Sequence, residues 1–296
     1  MLVNSRGLFL KTPGQQCSGV FVCLMFIVGC LFSALGSADS STDSSTDSST
    51  TIAEKLCAAE GPLQWAQLDK IVDGDTLHLM GGRKVRVIAI NAPELGRRNK
   101  PGQPLAQQAR QAVLTFFNQS EDGRRVGLQL GQDPQDRYGR QLAHVFRADG
   151  ASLSAYLLAQ GLAWQVVVPP NERYWRCLDQ LEQKARQQAL GVWDLALYPS
   201  KNAAKMTRAD LGFQRIQGVV SAVNRSRNSW WIQLGAVAIR LRDTDTAYFG
   251  DVDPQRWVQQ PLSIRGWVID RSRSQAVKQQ GYSTLMMSLR HPAMLK

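Results

Sequence analysis

VRVIAINAPE, from Val85 to Glu94, is the stretch on which the fold of this chain turns. Val85, Val87, Ile88 and Ile90 read as a buried β-strand, yet Arg86 sits among them and the run stops at Asn91-Ala92-Pro93-Glu94. Pro93 cannot donate to a strand ladder, so the chain must turn there, and Glu94 is free to leave the sheet and face a cleft. Upstream, Gly81-Gly82 reads as a hairpin turn joining TLHLM (Thr76–Met80) to RKVRVIAI (Arg83–Ile90). Arg86 and Asn91 are five residues apart, and a regular strand sends such a pair to opposite faces. If both serve one site, a bulge or bend must precede Pro93.

Working outward, WAQLDKIV (Trp65–Val72) alternates as a strand before the hairpin. After it, PLAQQARQAVLTFFNQ repeats apolar residues at Leu105, Ala109, Ala112, Val113, Phe116 and Phe117, which predicts an amphipathic helix with Pro104 in its first turn. RVGLQLG and QLAHVFR predict two more strands. SLSAYLLAQG predicts a short helix capped by Gly161, and NERYWRCLDQLEQKARQQALG a longer one capped by Asn171 and stopped at Gly191. Five short strands with helices between and after them predict a small closed barrel with helices packed on it, a mainly β, α+β architecture. Residues 57–200 form this first domain and residues 201–212, polar and weakly patterned, a linker. Residues 213–296 again carry about five strand-like runs, predicting a second small β-barrel of OB-like or similar type.

The formal net charge is +11, which directs attention to polyanionic partners, nucleic acid or an anionic membrane. It is uneven: residues 57–200 hold 17 basic and 14 acidic residues, residues 213–296 hold 12 and 5, so the excess sits mainly in the second barrel. Arg225, Arg227, Arg240, Arg242, Arg265, Arg271 and Arg273 interleave there with Trp230 and Trp231. Guanidiniums that track phosphates beside aromatics that stack bases suit single-stranded nucleic acid. The same composition also describes a small barrel with tryptophans in its core and arginines in solvent.

Residues 1–38 read as a targeting segment. Arg6 and Lys11 precede the uncharged apolar run Val20–Gly36, and small residues follow, as at a secretory cleavage site near Ala38. The run is almost long enough for a membrane anchor, and IVGC, ending at Cys30, resembles a lipoprotein processing box. Residues 39–56 open with DSSTDSSTDSSTT, which has no apolar residue and reads as a disordered tether. Outside the targeting segment only Cys57 and Cys177 remain, a pair expected to form one disulfide in an exported protein; the alternative is two unrelated buried thiols.

Three motifs carry chemistry: DGDT (Asp73–Thr76), the VRVIAINAPE stretch, and DRYGR (Asp136–Arg140). Each alone is an ordinary turn or strand. Taken in order, IVDGDT, the hairpin, VRVIAINAPE, DRYGRQLAHVF and LLAQGLA resemble the thermonuclease, staphylococcal-nuclease-like family over roughly residues 63–194. The resemblance does not reach the second barrel. It implies an OB-type five-stranded barrel with three helices and a calcium-dependent phosphodiesterase acting on DNA or RNA. It further implies that Asp75, Asn91 and the Ala92 carbonyl ligate the metal, that Glu94 is the general base, that Arg86 and Arg140 clamp the phosphate, and that Tyr138 and Arg137 lie against phosphate or sugar. The chemistry is coherent. Guanidinium forks bind phosphate oxygens bidentately, a hard cation on oxygen ligands adds positive charge, and a carboxylate near water takes its proton.

The chain also departs from that family. Asn91 stands where a second aspartate is usual, which keeps an oxygen ligand, removes one charge, and implies weaker Ca²⁺ binding or another hard cation. LAWQVVVPPNE lacks the family's nucleotide-facing tyrosines, Val167 and Pro169 lying near those positions and leaving Trp164 or Tyr174 as substitutes. The three histidines, His78, His144 and His291, are scattered and offer no zinc cluster. Two other readings are a binding protein on the same fold without catalysis, for which Asn91 speaks, and an envelope-associated module, which leaves the acid–arginine constellation without a purpose.

Overall fold

The computed structural model describes residues 57–96 and 101–295, so the targeting and tether readings lie outside the described residues. Strands β1 (Gln64–Ile71), β2 (Thr76–Leu79) and β3 (Arg83–Val87) are followed by the two-residue β4 (Ile90–Asn91), then β5 (Arg125–Gln135), β6 (Gln141–Phe146) and the short β7 (Trp164–Gln165). Helices α1 (Ala106–Asn118), α2 (Leu153–Ala159) and α3 (Trp175–Gln187) complete this half. The five longer strands close a barrel in the order β1-β2-β3-β6-β5, antiparallel throughout except for the parallel pair β3–β6. Alternate residues fill it: Leu77, Leu79, Val85, Val87, Val126, Leu128, Ala143 and Val145 are buried, as a period of two requires. The apolar stripe of α1, including Ala109, Val113, Phe116 and Phe117, seals one side. Gly81 and Gly82 both adopt positive φ, the conformation a tight hairpin turn demands and glycine allows.

The structure corrects several expectations in detail. RKVRVIAI is not one strand. The chain bends at Ile88–Ala89, with Ala89 at φ 71°, and β4 pairs with β7 instead. Helix α1 begins after Pro104, because Leu105 takes a left-handed conformation at its start. Asn171 does not cap α3, which begins at Trp175. Its amide is held by the backbone of Asp133, accepting from the N–H at 3.0 Å and donating to the carbonyl at 2.9 Å. Cys57 and Cys177 are disulfide-bonded, tying the start of the described chain to α3 across 120 residues.

Residues 201–212 are structured rather than a plain linker. They supply β8 (Lys201–Asn202), which pairs with β9 (Gly212–Ser226), and a capped turn in which Thr207 and Asp210 bond reciprocally. The second barrel adds β10 (Ser229–Leu234), β11 (Val237–Arg242), β12 (Pro261–Asp270) and β13 (Leu285–Leu289), with short helices α4 (Asp243–Thr246) and α5 (Gln275–Gln280). Its closure order, β9-β10-β11-β13-β12 with β11–β13 parallel, repeats the connectivity of the first barrel. Two OB-type barrels therefore stand in tandem with no evident sequence repeat. They belong to one compact unit. Between them Glu182 of α3 and Arg265 of β12 form a buried two-pronged ion pair, with oxygens and nitrogens 2.6 and 2.7 Å apart. Trp164, Phe213, Trp193 and Tyr198 pack around this junction. Arg265 is thus an interior residue, withdrawn from any nucleic-acid surface.

His144, on β6, is buried edge-on against Tyr174. Burial, with the nearby charge of Arg173, lowers its pKa to about 3. A histidine depressed in the folded state contributes stability that is complete above the unfolded value of 6.5 and is lost as pH falls from 6.5 toward 3. In urea unfolding, the stability difference between wild type and His144→Gln should therefore shift toward the variant by up to about 1.4 kcal/mol per pH unit over this window. A difference that stays constant with pH would show that His144 does not resist protonation.

Candidate active site

The hairpin and the bend after β3 bring the acid and the arginine together. Asp75 ends the loop leading into β2, and Thr76 lies opposite Arg86 in the β2–β3 register. The Arg86 guanidinium reaches Asp75 Oδ2 at 3.0 Å, Asn91 Oδ1 at 3.2 Å and the Val87 carbonyl at 2.8 Å. Asp75 Oδ2 also accepts from the Ala92 N–H at 2.7 Å, and Thr76 Oγ1 donates to Oδ1. Asp75 is only 3% exposed. The reversal at Ile88–Ala89 lets Arg86 and Asn91 meet despite their opposite parity. Three bonds fix it: Ile88 N–H to the Ala143 carbonyl, Ser154 Oγ to the Ile88 carbonyl, and Val166 N–H to the Ala89 carbonyl. Gly74 is required beside it, since a Cβ there would lie 2.6 Å from the Ala92 Cβ and 3.0 Å from that of Ala109.

Glu94 is exposed just beyond this network. Its backbone is clasped by Gln103, whose Oε1 accepts from the Glu94 N–H at 2.8 Å while its own N–H donates to the Glu94 carbonyl at 2.9 Å. Burial pushes the Asp75 carboxyl up to about 7; Asp73 and Glu94 add to the rise, and Arg86 and the Ala92 N–H oppose it. Arg86 is the guanidinium in contact with Asp75, and Asp73 and Glu94 lie close enough to act on the charge of Asp75. Asp73, buried and accepting from the Asp75 N–H at 3.2 Å, and Gln103 were not singled out in the sequence. DGD hinted at the first; nothing in the polar run around Gln103 marks the second.

Arg140 opens β6. Leu142, two residues after it, lies across from Arg86 in the parallel β3–β6 pair. Asp136 fixes it through Nε at 2.7 Å and through the backbone N–H at 3.0 Å, an arrangement that occupies neither Nη atom. Those bonds hold the Asp136 carboxyl below its ordinary pKa, against the opposing effect of burial. Tyr138 is 68% exposed at the tip of this turn, with Arg137 stacked on its ring and bonded to its hydroxyl at 2.6 Å.

Some of the proposed residues do not join this site. Trp164 is buried at the junction of the barrels, and Tyr174 is packed against His144 and Phe146 with its hydroxyl bonded to Gln129. Neither offers an open face for a base. Trp230 and Trp231 lie on β10 of the second barrel, apart from the acid–arginine network.

The oxygen donors here suit a hard divalent cation. Asp75 supplies a carboxyl group and Asn91 an amide oxygen already oriented by Arg86. Among the described residues no group of three His, Cys, Asp or Glu side chains is arranged to hold a metal.

A family model described as "Staphylococcal nuclease homologue" matches residues 84–195, ending before the second barrel. A curated relative, the thermonuclease of Staphylococcus intermedius, is 31% identical over 128 residues, 42% of this chain and 73% of that protein. Endonuclease YncB of Bacillus subtilis strain 168 is 33% identical over 44% of this chain and 62% of its own length. The thermonuclease of Staphylococcus hyicus is 28% identical over 42% of this chain and 72% of its own.

Proposed function

Since the chain belongs to the staphylococcal nuclease homologue family, we propose that it is an exported, divalent-cation-dependent endonuclease that hydrolyses phosphodiester bonds of DNA or RNA, leaving 5′-hydroxyl and 3′-phosphate ends. The observation that carries this reading is the bridge of Arg86 between Asp75 and Asn91, with Glu94 close enough to act on the charge of Asp75.

Each residue has a role that its setting supports. Arg140, anchored through Nε, offers two Nη donors to the non-bridging phosphate oxygens, and Arg86 offers the rest of its fork as substrate replaces its present partners. Fixed donors at developing charge are commonly worth about 3–4 kcal/mol each. Glu94, exposed and held by its backbone, accepts the proton of the attacking water. Asp75, Asn91 and the Ala92 carbonyl would hold Ca²⁺ or another hard ion, which when bound adds positive charge beside the phosphate. Tyr138 and Arg137 would line the approach of the strand, which is single-stranded by preference. The Cys57–Cys177 disulfide supports export to a secreted or periplasmic location.

The test is incubation of the purified protein with single-stranded DNA and RNA in Ca²⁺ and, separately, in EDTA. Cleavage is expected only with the cation, with phosphate retained on the 3′ side of each cut. Cleavage undiminished by EDTA would overturn the metal requirement, and binding without cleavage would place the chain among inactive relatives of the fold.

A further inference from the structure

On the second barrel Trp231 lies directly across from Arg240 in the β10–β11 register, with the Arg240 guanidinium 5.5 Å from the indole centroid. Arg271, from the β12–β13 loop, brings a second guanidinium to 4.6 Å from the same ring. Each is held by one neutral contact, Arg240 Nε to Ser229 Oγ at 3.0 Å and Arg271 Nη2 to the Ser283 carbonyl at 2.9 Å. Three other arginines of this barrel have acidic partners, Arg225 in Asp243, and Arg242 and Arg290 in Asp245. Arg240 and Arg271 have no acidic partner among the described residues. Their proximity is electrostatically unfavourable as it stands, and Arg271 is shifted downward in pKa by burial and by the charge of Arg240. Two like charges held by an aromatic face and lacking a counter-ion form a site for an oxyanion.

We propose that Arg240 and Arg271, braced on Trp231, bind consecutive phosphates of a single-stranded nucleic acid, forming a site separate from the acid–arginine network of the first barrel. Its position favours a strand over an isolated anion. It combines the second and third strands of an OB-type barrel with the loop between the fourth and fifth, the surface on which such barrels receive extended ligands. The β9–β10 turn alongside carries exposed Arg227, and the β12–β13 loop carries Arg273, Lys278 and exposed Tyr282, an aromatic with an open face for a base. The proposal rests on the nuclease reading only for the choice of polyanion, since a chain that cuts nucleic acid gains from a second grip on it.

The test uses the full chain in EDTA, which silences cleavage, and measures anisotropy of a labelled single-stranded DNA of about 16 nucleotides across a salt series. Loss of two phosphate contacts in Arg240→Gln/Arg271→Gln should make the slope of log K against log salt shallower by about 1.4, equivalent to roughly 25-fold weaker binding at about 0.1 M salt. Hydrolysis of a small nitrophenyl phosphodiester with the cation present should be unchanged. Circular dichroism checks folding; if the double variant unfolds, Arg240→Gln alone should change the slope by about 0.7. Unaltered affinity and slope in a folded variant would overturn the proposal, as would a loss of binding confined to phosphatidylserine vesicles. A wild-type chain that hydrolyses nothing yet shows the expected binding loss would remove the nuclease reading and leave this site standing.

Discussion

Glu94→Gln is expected to lower kcat on single-stranded DNA by about 10²–10⁴-fold, the range associated with losing a positioned general base, while the unfolding midpoint stays where it is. The two halves of this expectation have separate origins. Glutamine keeps the shape and hydrogen-bonding capacity of the side chain but cannot accept a proton from water. Stability is spared because Glu94 is exposed and its position is set by its backbone, through the paired bonds with Gln103 rather than through its carboxylate. A variant within a few-fold of wild-type kcat would take the role of base away from Glu94. The substitution also removes one of the charges raising the pKa of Asp75, so binding of the cation should be measured alongside kcat to separate the two effects.

The second large effect is on stability. Arg265→Met should destabilise the protein by about 3–5 kcal/mol, because it strips the two-pronged counter-charge from a carboxylate only 1% exposed. Glu182 also accepts from the Gln165 N–H at 2.6 Å and so fastens the middle of α3 to β7, which pairs with β4 and thereby with Asn91. Pairing Arg265→Met with Glu182→Gln should recover part of the loss, since the buried carboxylate is then removed together with its two-pronged counter-charge. Urea unfolding of the two single variants and the double variant measures this. Equal or greater destabilisation in the double variant would mean that the pair contributes attraction beyond mere compensation. The expected unfolding is a single transition, because the barrels share this junction rather than a solvated linker.

Much of the fold was legible because its signals are local. Alternation in Leu77–Leu79, Val85–Val87 and Val126–Leu128, two glycines at Gly81-Gly82, and the apolar stripe from Ala109 to Phe117 each reflect contacts with a core that the period of the element dictates. The bend at Ile88–Ala89 was not legible, because alanine in a left-handed conformation leaves no compositional mark and is held by partners far along the chain, Ala143, Ser154 and Val166. The start of α3 was misplaced for a similar reason. Asn171 has the chemistry of a cap, but the exposed backbone of Asp133 at the end of β5 claims its amide. Arg265 looked like one more surface cation, and nothing near it in sequence announces that Glu182, 83 residues away, lies opposite.

By itself the sequence determined the strand and helix periodicities, the two-barrel division and the basic excess of the second half. Those properties follow from side-chain chemistry and nearest-neighbour geometry. Only the tertiary structure decided that Arg86 and Asn91 meet despite their parity, that the barrels meet through a buried ion pair, and that Arg240 and Arg271 converge on one indole with no carboxylate partner among the described residues. Each of these is a meeting of residues distant along the chain, and such meetings are set by strand register and core packing, which no short stretch of sequence encodes.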